Sequence, residues 1–175
     1  MIAALGMYDR RETAHANDVF WALIREALGD GPDALTRDMA FWDVWQSPDL
    51  LLSQTCGLPF RAHLHDKVQL VGTPDYGIEG CDPGYYRSMI IARKATGADL
   101  ADLGSLKFGY NERLSQSGWA AFWAHVPNGT APKELIETGG HAASAQAVAN
   151  GDTDIAAIDA LTWELIHQFD AFADQ

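Results

Sequence analysis

The hydrophobic positions of the chain form short apolar runs that alternate with stretches of helical periodicity. The apolar runs predict strands at Ile2–Met7, Ala34–Arg37, Leu50–Leu52, Val68–Val71, Tyr86–Arg93, Leu106–Tyr110, Leu135–Ile136 and Asp154–Ile158. The periodic stretches predict helices over Asn17–Gly29, Phe41–Trp45, Pro59–His65, Gly118–Val126, Ala142–Ala149 and Thr162–Phe169. Strands that alternate with helices are typical of α/β layers in which most strands run parallel.

The first predicted helix has a start signal, an apolar stripe and a stop signal. Asn17 is a residue type that caps helix N-termini, and Gly29 is one that ends helices. The residues expected to form the buried stripe are Val19, Phe20, Leu23, Ile24, Ala27 and Leu28.

Residues 72–84 differ in composition from the rest of the chain, because four glycines and two prolines lie within them. Such a density of helix and strand breakers indicates a connection between two lobes. A length of 175 residues suits one domain or two small lobes. We therefore predict a first lobe over residues 1–77 and a second over residues 78–175.

The charge balance excludes two classes of partner. Twenty-four acidic residues against 12 basic ones give a net charge of −12, whereas nucleic-acid binders and proteins held on anionic lipid need a basic face. No apolar run approaches the roughly 20 residues of a membrane span, so we expect no membrane insertion. No basic segment precedes the first apolar run, so we expect either a cytoplasmic protein or one whose secretion signal is already removed.

Cysteine and histidine spacing gives no metal site. Cys56 and Cys81 are too few for a disulfide scaffold, and they form either one disulfide or two buried free thiols. His63 and His65 are two residues apart on a predicted helix and point to different sides. The sequence also lacks the Gly-x-Ser-x-Gly elbow of serine hydrolases and the phosphate loop of nucleotide-binding proteins. We expect that the protein binds neither a metal ion nor a cofactor and that it is not an enzyme.

The strongest candidate site is the segment Ser115, Gln116, Ser117 and Gly118, which follows a strand and begins a helix. The first turn of a helix has unpaired N–H groups and the positive end of the helix dipole, so hydroxyl groups beside it favour a phosphate-like anion. The alternative is an ordinary serine N-cap without a ligand.

Two further candidates follow strands. His141 begins a helix after Gly139 and Gly140, and it is either a donor to an anion or a packed or capping histidine. Asp159 directly follows a buried strand, and it either contacts a ligand or caps the helix that begins at Ala160.

Four segments in this order resemble the phosphate, phosphite and phosphonate solute-binding proteins of ABC transporters, which have the type II periplasmic-binding-protein fold. The segments are LLLSQTCG (Leu50–Gly57), YRSMIIAR (Tyr86–Arg93), DLGSLKFGYNERLSQSG (Asp102–Gly118) and GGHAASAQAVANGDTDIAAID (Gly139–Asp159). The resemblance covers residues 2 to 165. Family members are usually longer, with a further strand and helices after the position of Phe169.

The resemblance implies two α/β lobes that close on a small oxyanion in the cleft between them, with a hinge near residues 72–84 and 159. It makes Ser115, Gln116 and Ser117 the grip on the anion oxygens and His141 a further donor. Asp159 then faces the ligand from the hinge, and Tyr8, Gln54 and Thr55 contribute from the first lobe. A transporter permease is the implied partner, and the periplasm is the implied compartment.

Two other functions use the same fold. One is an enzyme that transforms a bound small molecule, with Cys56 or His141 as the reactive group. The other is a cytoplasmic ligand-sensing module.

Overall fold

The computed structural model describes residues 1–174, which form two compact units. Unit 1 comprises Met1–Leu70, and unit 2 begins at Val71. Both units combine helices with a sheet in which most neighbouring strands run parallel, so the predicted α/β class is confirmed. None of the helices in the described residues is both long and apolar enough to cross a bilayer.

Unit 1 contains a two-stranded parallel sheet of β1 (Ile2–Ala4) and β2 (Leu50–Ser53). A 3₁₀ turn (Gly6–Tyr8) follows β1. The helices are α1 (Ala14–Leu28), α2 (Phe41–Trp45) and α3 (Gly57–Pro59), the last continued by a π-helical turn (Phe60–Leu64).

Helix α1 corrects two predictions. It begins three residues before Asn17, with Thr13 as its N-cap, and the Asn17 amide instead donates to the Asp9 carboxylate at 2.9 Å. The predicted stripe is only partly correct, because the residue that α1 buries fully is Trp21, and Ile24 of the stripe packs half-buried against the same core cluster. The large members of the stripe that lie exposed are Val19, Phe20, Leu23 and Leu28.

Two strands predicted in the first half of the chain, Ala34–Arg37 and Val68–Val71, are absent from the described residues. Thr36 makes one backbone bond to the Ala3 carbonyl, at 2.7 Å, but Ala34–Arg37 does not continue into a ladder. Val68 donates to the Leu64 carbonyl and extends the preceding turn, and Val71 is 81 % exposed. Short apolar runs have no periodicity that separates strands from turns.

Unit 2 contains a four-stranded sheet in the order β3-β6-β4-β5. The strands are β3 (Ser88–Ala92), β4 (Lys107–Tyr110), β5 (Glu134–Glu137) and β6 (Ile155–Asp159). The α-helices are α4 (Ala121–His125), α5 (His141–Asn150) and α6 (Ala160–Phe169), with a π-helical turn (Gln116–Ala120) before α4. Two 3₁₀ segments are Leu100–Ser105 and Ala171–Asp174.

Strand β6 is the centre of unit 2, and every one of its residues is buried. It pairs with β4 in parallel and with β3 in antiparallel fashion. Ala156 and Ile158 pack into one core cluster with α5 and α6, and Ile155 and Ala157 pack into another with Phe108 of β4. A strand covered on both faces reads as a continuous apolar run, which is why the sequence predicted it well.

Candidate functional site

The candidate residues of unit 2 lie at the edge of the sheet where β4, β5 and β6 end. The loops that follow β4 and β5 are joined there, because Thr138 N donates to the Tyr110 carbonyl at 2.8 Å and Gly139 N donates to the Asn111 carbonyl at 3.0 Å. Strand β3 runs the opposite way and pairs its first residue, Ser88, with the last residue of β6. This edge is where α/β sheets bind ligands.

Ser115 has a structural task at this edge. Its hydroxyl oxygen accepts the Gly118 N–H at 2.9 Å, so it is the N-cap of the π-helical turn, and the residue is 1 % exposed. Its carbonyl accepts from Ala120 N, five residues on, at 3.0 Å. Ser115 is therefore an N-cap, and its contact with a ligand stays a prediction. Half-buried Gln116 follows it as the first residue of the turn.

Ser117 and His141 are brought together, although 24 positions separate them in the chain. The Ser117 hydroxyl lies 2.8 Å from Nε2 of His141. Ser117 is buried, and the Ser88 hydroxyl donates to its carbonyl at 2.9 Å. The first turn of α5 and the turn before α4 thus share one polar contact.

Asp159 approaches the same histidine nitrogen. Its Oδ2 lies 3.6 Å from Nε2 of His141, too long for a hydrogen bond but close enough for a strong electrostatic effect in a buried site. Oδ1 accepts the Thr162 N–H at 2.8 Å, and Oδ2 accepts the Thr162 hydroxyl at 2.6 Å. Asp159 is therefore the N-cap of α6, as the second of its two interpretations predicted.

The environment of His141 favours the neutral ring. Burial lowers the pKa of His141 below its usual value of 6.5, and the Asp159 carboxylate and the backbone of Ala157 offset only part of this effect. Among the described residues, Nδ1 is buried and has no hydrogen-bond partner. At neutral pH the ring therefore has one proton, and its position on Nε2 or Nδ1 depends on the neighbours.

The start of α5 is open to a ligand. Gly140 is the N-cap, and within the described chain no side chain accepts from the first turn of this helix. A Cβ added at Gly139 or at Gly140 would meet no atom within 4 Å, and Gly139 has a φ of +83° that glycine adopts readily. The N–H groups of Ala142 and Ala143 belong to exposed residues. An anion therefore has room beside donors that the helix itself cannot satisfy.

The space beside Gly118, unlike that beside Gly139 and Gly140, is filled by side chains of the protein. A Cβ at Gly118 would lie 1.9 Å from Oδ1 of Asn111 and 3.0 Å from Cε1 of His141. The sequence pointed to the Ser-rich segment and missed Asn111 as part of its packing. The sequence feature that could have identified Asn111 is an amide side chain directly after the end of a strand.

Charged and aromatic groups flank the site. The Tyr110 hydroxyl donates to the Glu137 carboxylate at 3.2 Å, and Arg113 lies 4.7 Å above the Trp119 ring. Burial, and then the charge of Glu137, raise the pKa of Glu112. The edge of the sheet therefore carries two carboxylates near the loop that leads to Ser115.

The predicted residues of unit 1 lie at the carboxyl ends of its two strands. Tyr8 ends the 3₁₀ turn after β1, and Gln54 directly follows β2. Oε1 of Gln54 accepts the Met7 N–H at 3.3 Å, and the Thr55 hydroxyl donates to the Cys56 carbonyl at 3.4 Å.

Cys56, in unit 1, and Cys81, in unit 2, are not joined in a disulfide. Of the two interpretations of the cysteines, the structure has the one without a disulfide, and both residues are half-buried.

Comparisons with known proteins identify a family and a similar solved structure. Residues 52–171 match the model of a protein family described as "ABC transporter, phosphonate, periplasmic substrate-binding protein". A solved structure of the binding protein component of an ABC phosphonate transporter from Pseudomonas aeruginosa is 27 % identical, with a TM-score of 0.45. The match covers 51 % of this chain and 33 % of that chain, so this chain spans about a third of the relative's length. None of the curated proteins compared matches it.

Proposed function

The chain belongs to the family of periplasmic substrate-binding proteins of phosphonate ABC transporters, and from this premise we propose that it binds a phosphonate, phosphate or related small oxyanion. The contact between Ser117 and His141, at 2.8 Å, carries the proposal. It joins a hydroxyl and an imidazole at the start of α5, where backbone donors are also available.

In this proposal the anion is held by neutral donors. Its oxygens accept from the Ser117 hydroxyl and from the N–H groups of the first turn of α5, next to the space beside Gly139 and Gly140. Gln116 lies on the adjoining turn and is a further donor. Such donors act at hydrogen-bond distance, whereas the net charge of −12 is spread over the molecule and screened within about 10 Å in salt.

The same geometry argues against the enzyme alternative at His141. In a Ser-His-Asp triad, serine and aspartate bind opposite nitrogens of the imidazole, so that the ring can take a proton while the carboxylate steadies it. Here Ser117 and Asp159 both face Nε2. We therefore expect binding without turnover.

We propose a transporter permease as the partner and the periplasm as the compartment, as the family description implies. The contributions of Tyr8, Gln54 and Thr55 stay predictions about unit 1, as do the lobe boundary at residue 77 and the hinge near residues 72–84 and 159.

Isothermal titration calorimetry with methylphosphonate, inorganic phosphate and phosphite tests the proposal. We expect saturable binding of at least one of them, with chloride and acetate at the same ionic strength as controls. A ligand at 100 times its Kd also raises the free energy of unfolding by about 2.7 kcal/mol. Folded protein that gives no heat and no thermal shift with any of the three at millimolar concentration would refute the proposal.

A further inference from the structure

We propose that Asp159 is a positioning residue, whose carboxylate keeps the proton of His141 on Nε2 so that the hydroxyl hydrogen of Ser117 points to the bound oxyanion. The inference rests on the proposed function, because it assigns Asp159 a task in that same site. Asp159 then acts through His141 and does not itself contact the ligand.

A hydroxyl oxygen and a carboxylate oxygen face the same nitrogen of His141. Ser117 Oγ lies 2.8 Å from Nε2 of His141, and Asp159 Oδ2 lies 3.6 Å from it. A proton on Nε2 is attracted by the carboxylate and is shared as a hydrogen bond with the hydroxyl oxygen. An unprotonated Nε2 would instead direct its lone pair towards the negative carboxylate of Asp159.

Nδ1 of His141 is buried, and no described residue contacts it at hydrogen-bond geometry. The backbone of Ala157 raises the pKa of the ring as a hydrogen-bond acceptor, but the contact that meets hydrogen-bond geometry is the one at Nε2. A proton on Nε2 therefore has a better hydrogen bond than a proton on Nδ1 would have.

Hydrogen bonds from Thr162 hold the Asp159 carboxylate in place. Thr162 donates to both of its oxygens, at 2.8 and 2.6 Å, and the aspartate side chain is 5 % exposed. Its oxygens accept from the protein and cannot donate to an anion. The carboxylate therefore fits an internal role better than a place in the ligand shell.

The position of the His141 proton determines where the Ser117 hydroxyl hydrogen points, because the hydroxyl has a single hydrogen. When Nε2 donates to Oγ, that hydrogen is free to donate to the anion. When Nε2 is bare, the hydroxyl donates to the ring and turns its lone pairs towards the ligand, which repels an anion. The tautomer of His141 thus decides whether Ser117 attracts or repels the ligand.

The experiment compares the wild-type protein with Asp159→Asn. Asparagine caps helices as well as aspartate does, but its NH₂ group would turn a donor towards Nε2. The ¹⁵N NMR spectrum of the imidazole separates protonated from bare nitrogens, and His141→Gln identifies the His141 signals. We expect the proton on Nε2 in the wild-type protein and a shift towards Nδ1 in Asp159→Asn. Methylphosphonate should bind Asp159→Asn at least tenfold more weakly.

Asp99→Asn is the matched control, because Asp99 is also an N-cap aspartate, accepts the Ala101 N–H at 2.9 Å and caps a different helical segment. It should leave the proton on Nε2 and the Kd within about twofold. A wild-type ring protonated on Nδ1, or an Asp159→Asn protein with unchanged ¹⁵N signals and unchanged Kd, would overturn the inference. Failure of methylphosphonate, phosphate and phosphite to bind the wild-type protein would instead overturn the proposed function, since the tautomer is measured without a ligand.

Discussion

Asn111 and Gly118 occupy complementary space, because the amide oxygen of Asn111 lies where a side chain on Gly118 would begin. The oxygen is 1.9 Å from an ideal Cβ position, a distance that no side chain tolerates. The glycine therefore lets the loop after β4 fold against the turn that presents Ser117. This contact determines how the Ser-rich turn meets the edge of the sheet.

Gly118→Ala should destabilise the protein by about 1–3 kcal/mol, because Asn111 or the turn must move to admit the methyl group. Asn111→Ala in the same chain should restore at least half of the loss, a coupling that chemical denaturation of the two single variants and the double variant measures. Gly104→Ala is the control, since its Cβ would meet no atom within 4 Å. Strictly additive effects would show that the contact is unimportant.

Ser115→Ala should lower the free energy of unfolding by about 1 kcal/mol, since it removes the oxygen that accepts the Gly118 N–H at 2.9 Å. Urea unfolding measures the change. The matched variant Ser105→Ala alters an exposed serine that donates to the Asp102 carbonyl, and it should change stability much less. Equal losses in the two variants would contradict the capping role.

His141→Gln should weaken methylphosphonate binding by about 10- to 100-fold, because it removes the ring that directs the Ser117 hydroxyl, and a hydrogen bond from that hydroxyl to a charged group contributes roughly 1.5–3 kcal/mol. Calorimetric titration gives the Kd directly. The control is His125→Gln on α4, whose exposed ring bonds to the Ala121 carbonyl of its own helix. Loss of binding in the His125 variant, or none in the His141 variant, would remove His141 from the site.

The lowered pKa of His141 predicts an effect of pH on stability. Burial, the leading cause, holds the folded-state pKa below the usual value of 6.5, so between these two values the unfolded chain binds more protons than the folded one. The contribution to stability is complete above about pH 6.5, and it is lost as the pH falls through the folded-state pKa. Unfolding curves from pH 7.5 to 5 should therefore show a steeper acid loss for the wild-type protein than for His141→Gln. Parallel curves would indicate an unperturbed ring.

For unit 1, Tyr8→Phe and Thr55→Val each remove one hydroxyl and keep the shape of the side chain. If these residues contribute to binding as predicted, each variant should weaken methylphosphonate binding several-fold, at a free energy of unfolding that stays close to the wild-type value. A pair of variants with wild-type Kd would limit the binding residues to unit 2.

The sequence predicted unit 2 better than unit 1 for a physical reason. Residues 155–158 form an uninterrupted apolar run, and the segments around Ser115 and His141 carry recognisable helix-start residues, so burial and local chemistry agree there. On α1 the apolar pattern of the sequence and the observed burial disagree. The regular apolar stripe that includes Phe20 and Leu23 is mostly exposed, whereas one bulky side chain, Trp21, anchors the helix.

The antiparallel direction of β3 and the approach of a hydroxyl and a carboxylate to the same nitrogen, Nε2 of His141, could not be predicted either. Both depend on which segments meet in space, and a single sequence records only their order. Ser117, His141 and Asp159 could be singled out from their positions after strands, but the 2.8 and 3.6 Å contacts between them could not be predicted.

Asp159 ends a buried strand, caps a helix and adjoins His141, so one side chain serves three contacts at once. Under the proposed function, a substitution at this position would change folding and ligand binding together. A library designed to alter ligand preference should therefore leave position 159 constant and vary exposed Arg113 and half-buried Glu112, which adjoin the site without capping a helix.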